Sequence, residues 1–187
     1  MEDIIKNAIE KHKDALKSLQ ENYQIIEKIS QLFISALKNK GKILFMGNGG
    51  SAADAQHLAA ELVGRFKKER PPLAAIALST NTSIITAVGN DYGFDQIFVR
   101  QIEALANPND VVVGISTSGK SANVVKAIKK AKELGLKTVG LLGSDGGNLK
   151  PIVDLNLTIP SSEAACTQEI HIIAGHIVCE IVETHLT

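Results

Sequence analysis

"KILFMGNGGSAADAQHLAAEL", residues 42–62, passes from an apolar run through four small residues into a helical pattern. Ile43, Leu44, Phe45 and Met46 are continuous rather than alternating, as in a strand buried on both faces. The same rhythm returns in "LAAIAL" (73–78), "DVVVGIS" (110–116), "KTVGLLG" (137–143) and "VDLNLTIP" (153–160). Helical segments are expected between and after these runs, at 51–65, 82–88, 95–105, 121–134 and 165–185. Alternating strand and helix imply a parallel sheet with right-handed crossovers. In such a sheet ligands bind beyond the carboxyl ends of the strands, so the loops at 47–51, 79–83, 116–121 and 143–148 carry the interest.

Upstream, residues 3–39 contain no Pro or Gly. Ile5, Ile9, Leu16 and Leu19, then Ile26, Ile29, Phe33 and Leu37, recur at helical spacing. Two helices are predicted, broken near Asn22 and stopped by Gly41. Their apolar stripe must pack on the main domain or on a partner subunit. Pro71-Pro72 opens a strand after a basic loop and marks no domain boundary.

The 187 residues suit one domain with a sizeable core, and 44% hydrophobic with 21% charged residues is an ordinary globular composition. Twenty basic and 20 acidic residues cancel, so no net field favours nucleic acid or an anionic membrane. The two cysteines, Cys166 and Cys179, form no CxxC spacing. With no signal-peptide pattern and no apolar run of about 18 residues, the expected location is cytoplasmic.

Gly47-Asn48-Gly49-Gly50-Ser51-Ala52 satisfies the G-x-G-x-x-G/A pattern of a dinucleotide fold. That reading needs an acidic residue at the end of the next strand, where Ser79-Thr80-Asn81 stand instead. A P-loop needs a lysine after the last glycine and has none, so no nucleotide is expected. The plainest alternative, a tight turn with Ser51 as helix cap, accounts for one glycine. Three glycines suggest backbone amides left open to a ligand. In "ISTSGKS", Ser116, Thr117, Ser118 and Ser121 crowd a strand end and helix start, with Lys120 beside them. A cap needs one hydroxyl; four, at a helix N-terminus, suit a phosphate.

His57 and Glu61, four apart on a helix, lie about 6 Å from each other, the reach of a shared metal ion or of a base and its partner. An ordinary i,i+4 contact is the default for such a pair. On the last helix Ile170, Ile173, Ile177 and Ile181 mark the buried stripe, interrupted by Gln168, His171 and His176. A lone histidine there is usually a satisfied core residue. Gln168 and His176 share one side of the helix, about 12 Å apart along its axis. "GSDGGN" (143–148) needs only turn chemistry.

Together these residues resemble the sugar isomerase (SIS) family. The likeness is carried by "GNGGSAADAQHLAAEL", by "GND" (89–91), "STSGKS" (116–121) and "QEIHIIAGH" (168–176), in register over nearly the whole chain. It implies a single SIS domain, 1–187, made of an N-terminal helical extension (1–40) and a flavodoxin-like open parallel α/β core (41–187) with helices on both faces. It implies a homotetramer and an aldose–ketose isomerase converting sedoheptulose 7-phosphate to D-glycero-D-manno-heptose 7-phosphate, for heptose in lipopolysaccharide or capsule. The implied substrate contacts are Asn48, Gly49, Gly50, Ser51, Glu61, Asn90, Asp91, Ser116, Thr117, Ser118, Ser121 and Gln168. Glu61 and His176 are implied as the acid/base pair, and one zinc per subunit is implied on His57, Glu61, Gln168 and His176.

Two ligands about 12 Å apart on one helix cannot easily meet one ion, so either Gln168 and His176 reach each site from different subunits or one of them is not a ligand; the intersubunit site is expected. Many members carry an arginine and an isoleucine where this chain has Cys166 and Thr167, so the substrate edge there is expected to differ. The rivals are a non-catalytic SIS tetramer that binds a sugar phosphate or a replication-initiation protein, and a sugar-phosphate sensor for transcriptional control. A carboxylate four past the histidine, Glu61, favours the enzyme.

Overall fold

The computed structural model describes residues 1–187. Five parallel strands, β1 (Ile43–Gly47), β2 (Ala75–Ala77), β3 (Val111–Ser116), β4 (Lys137–Gly143) and β5 (Leu155–Ile159), pair in the order β2-β1-β3-β4-β5. This is the flavodoxin-like order, with the topological switch beside β1 and β3. Around the sheet lie α1 (Glu2–Glu21), α2 (Tyr23–Lys38), α3 (Gly50–Val63), α4 (Thr82–Tyr92), α5 (Val99–Leu105), α6 (Ala122–Glu133) and α7 (Ala164–Leu186).

The apolar strands split their side chains between two cores because successive residues point to opposite faces. Ile43, Phe45, Val111, Val113, Ile115, Val139, Leu141, Leu157 and Ile159 meet residues from α1, α2, α3 and α7. Leu44, Met46, Val112 and Leu142 meet α5, α6 and the 97–98 segment on the other side.

Several local expectations change. The strand expected over 73–78 shortens to Ala75–Ala77 at the edge of the sheet, flanked by single bonds to β1 from Ala74 O and Leu78 N–H. The helix from Thr82 runs on to Tyr92, so Asn90 and Asp91 occupy its last turns rather than a loop. The expected 95–105 helix is a 3-10 turn (Phe94–Gln96) followed by α5.

At the end of α2 the left-handed residue is Lys40 (φ 60°), not Gly41. Lys40 N–H donates to Leu37 O and Gly41 N–H to Ala36 O, the paired bonds of a Schellman stop. Glycine is required at 41 for another reason: a Cβ there would lie 2.3 Å from Asn109 O.

Ile26, Ile29 and Phe33 of α2 are buried on the main domain. The α1 stripe is buried only at its C-terminal end: Ala15 and Leu19 join the core, while Ile5 is 60% exposed and Ile9 50%. Ile173 and Ile177 of α7, expected in the buried stripe, are also exposed and line an apolar groove with Leu16, Leu19 and Tyr23. The stripe that does face the core is Ile170, Ala174, Val178 and Val182. No helix is long and apolar enough to cross a membrane.

Candidate active site

The glycine loop leaves β1 and turns directly into α3. Gly49 has φ 56° and ψ −124° and stands at the N-cap, so α3 begins at Gly50 and Ser51 lies inside its first turn, not at the cap. No side chain caps this helix. Gly50 is glycine for contact: a Cβ would lie 2.4 Å from Gln168 Oε1, so the α7 amide rests on the loop backbone.

α3 and α7 then run side by side. A Cβ on Gly175 would strike Leu58, and His176 meets His57, so the Gly50–Gln168 proximity is repeated two turns along. There His57 Nε2 and His176 Nε2 are 2.8 Å apart, one donating and the other accepting, and Glu61 Oε1 is 3.4 Å from His57 Nε2. The ligand atoms of His57, Glu61 and His176 all lie within 4.8 Å of one another. Two imidazole nitrogens and a carboxylate oxygen so arranged suit zinc, which takes nitrogen and oxygen ligands in a compact tetrahedral shell. Burial lowers the pKa of His176, and His57 lowers it further, while Glu61 opposes them. A neutral His176 retains a lone pair for a ligand or a proton. These three residues come from one chain; Gln168 belongs to the other end of the α3–α7 seam.

The second loop follows β3. Ser121 is the N-cap of α6 yet its hydroxyl does not cap it; it pairs instead with Ser116 Oγ at 3.1 Å. Ser116 Oγ also accepts from Gly119 N–H, and Ser118 Oγ from Lys120 N–H. Thr117 is half-buried and Ser118 exposed at the loop's lip. The 143–148 segment does more than turn. A Cβ on Gly119 would lie 2.0 Å from Gly146 O, and one on Gly147 would lie 2.5 Å from Ser118 O. Glycine–glycine packing thus backs the hydroxyl loop.

Asn48 joins the two loops. Its side-chain amide exchanges both hydrogen bonds with that of Asn123, at 2.9 and 2.8 Å. Asn90 Nδ2 donates to Asp91 Oδ1, and both are exposed at the end of α4 with no hydrogen bond to the rest of the site. Cys166 and Thr167 are buried, Cys166 against Lys11 O and Thr167 beside Gly143, so this departure lies in packing rather than on an open edge.

Several residues outside the expected site set also shape the site. Asp54, three before His57, is 8% exposed and its Oδ2 is buried without a partner. Burial pushes its carboxyl up to about 6, against a lowering pull from His57. Phe66 stacks on His176 with ring centroids 5.2 Å apart. Asn123 makes its contact 75 residues away in sequence, which no local pattern signals.

Parallel sheet, glycine loop, hydroxyl loop and α3–α7 cluster define a sugar-phosphate-binding α/β protein. A SIS domain model matches residues 8–143, and the chain belongs to that family, within it to the phosphoheptose isomerases. It is 52% identical to the phosphoheptose isomerase of Helicobacter pylori (strain P12), covering 99% of this chain and 97% of that one. It is 57% identical to that of Geotalea daltonii, over 97% and 95% of the two chains. The solved structure of phosphoheptose isomerase from Neisseria gonorrhoeae superimposes with a TM-score of 0.91 at 41% identity, covering 98% of each chain.

Proposed function

We propose that this chain, acting as one SIS domain over residues 1–187, converts sedoheptulose 7-phosphate to D-glycero-D-manno-heptose 7-phosphate through an enediol, with Glu61 as base and His176 as acid/base. The observation that carries the roles is the meeting of Glu61 and His176 in one cluster. Glu61 takes the proton from C1 of the ketose and returns it to C2. His176 moves the hydroxyl proton from O1 to O2. Atoms and charge balance, and no external reductant is needed. A carboxylate can act on so weak a carbon acid only where the enediolate is stabilised. Zinc on His57, Glu61 and His176 fits the donor set and would supply Lewis-acid polarisation of the carbonyl.

Ser116, Thr117, Ser118 and Ser121, at the N-terminus of α6, take the phosphate, whose remote binding energy positions the reacting carbons. Asn48, Gly49, Gly50 and Ser51 hold the sugar from the first loop, with Asn90, Asp91 and Gln168 closing around it. The open α1 face and the Ile173–Ile177 groove support a homotetramer. In that assembly Gln168 of the partner subunit completes the metal shell. The setting is cytoplasmic, and the product feeds surface-polysaccharide heptose. Turnover of sedoheptulose 7-phosphate by the purified protein tests the reaction. Mixed tetramers of Glu61→Gln and Gln168→Ala subunits test the sharing: regained activity supports it, and strictly proportional loss refutes it.

A further inference from the structure

Arg70 and Glu183 form an ion pair whose side chains are 1% and 2% exposed, with Arg70 Nε 3.1 Å from Glu183 Oε1. They lie 113 residues apart in sequence, one in the loop after α3 and one near the end of α7. Every remaining hydrogen bond of the pair goes to the backbone around the acid/base cluster. Arg70 Nη2 donates to Glu61 O at 2.8 Å, and Nη1 to Leu62 O, Gly64 O and Pro71 O. These include carbonyls of the last turn of α3, which have no partner within the helix. Glu183 accepts from the backbone N–H groups of Phe66, Lys67 and Lys68, at 3.1, 2.9 and 2.9 Å. Burial pushes the Glu183 carboxyl up, but the three amides and Arg70 outweigh it and hold it below the ordinary carboxylate range.

The loop so pinned carries Phe66, whose ring lies over His176 at 5.2 Å with a 28° tilt. His176 therefore has His57 against its Nε2 and Phe66 over one face. Capping alone would need the arginine without the three amides that Glu183 collects. Apolar residues of similar volume often stabilise as well as a buried ion pair does, so stability is a weak reason for this one.

We propose that the Arg70–Glu183 pair is a positioning device for the isomerisation: it clamps the 64–70 loop to α7 so that Phe66 fixes the ring plane of His176 while Arg70 fixes the turn carrying Glu61. The proposal rests on the acid/base reading of His176, and its test separates the two.

Phe66→Leu removes the stack and leaves the ion pair intact. Its kcat should fall about tenfold with KM within twofold, and Phe66→Tyr should restore kcat. Glu183→Gln should lower kcat similarly, and Glu183→Gln with Phe66→Leu should lose no more than the larger single effect, because both act by one route. In nuclear magnetic resonance spectra the His176 ring protons, shifted upfield by the Phe66 ring, should move downfield in Phe66→Leu and in Glu183→Gln. If Glu183→Gln does not fold, the Phe66 pair of variants still decides. Wild-type kcat in Phe66→Leu, or losses that multiply in the double variant, overturns the clamp. Should His176→Gln keep wild-type turnover, the acid/base reading fails instead, and the resonance shifts alone then judge whether Glu183 holds the ring: unchanged His176 resonances in Glu183→Gln overturn it.

Discussion

His57 Nε2 and His176 Nε2 face each other at 2.8 Å across the α3–α7 seam, with the Glu61 carboxylate beside them. Two imidazoles share one hydrogen bond there, an arrangement a cation can replace with two ligand bonds. His57→Ala should lower zinc affinity about 100-fold or more, measured by competition with a chromophoric chelator. Unchanged affinity would remove the metal from this cluster.

On the proposed mechanism Glu61 is the base; its side chain is 23% exposed, and glutamine has nearly its shape without its charge. Glu61→Gln should lose about 100-fold to 10,000-fold in kcat with KM and thermal melting nearly unchanged. Wild-type-like turnover would end its assignment as the base.

Gly49 and Gly50 should fail in different ways. An alanine at 50 places a methyl 2.4 Å from the Gln168 amide, so Gln168 must move and KM should rise about tenfold. An alanine at 49 meets nothing within 4 Å but must hold φ 56° with ψ −124°, a backbone region that favours glycine, at a cost of about 1–3 kcal/mol. Urea unfolding and steady-state kinetics on both variants check this; equal KM values would contradict it.

His171 gives a stability with a predictable acid limb. It is fully buried, its Nε2–H donates to Leu142 O at 3.0 Å, and its Nδ1 has no partner. Protonation would put a charge there with nothing to accept the new N–H, and burial lowers its pKa to about 4. Below pH 6.5 the unfolded chain takes up a proton that the folded chain refuses. The stabilisation is complete above about 6.5 and drains away as pH falls towards 4, by about 3 kcal/mol at most. Urea unfolding of wild type and His171→Gln from pH 7 to 4.5 should show a shallower acid loss in the variant. Parallel curves would refute the assignment.

From the chain of letters alone came the parallel α/β architecture, the helical extension with its break at Asn22, the loops at the strand ends and the His57–Glu61 pair. These are legible because strand runs, helical periodicity and turn glycines are local signals, set by residues a few positions apart. His171 is buried as a histidine on an apolar helix usually is, though only its Nε2 finds a partner. What the letters left open depends on distance in sequence. Whether the α1 stripe finds cover in its own domain, which of Gln168 and His176 meets His57, and why Gly119 and Gly147 are glycine follow only from the packing of remote segments. The separation of 119 positions between His57 and His176 carries no mark of their 2.8 Å approach; Phe66, Arg70, Asn123 and Glu183 belong to no motif, and Asp54, though inside the glycine-loop stretch, carries no local sign of its burial. Local interactions choose the elements; side-chain volume at the α3–α7 seam, where Gly50 and Gly175 let the helices close, decides which functional groups touch.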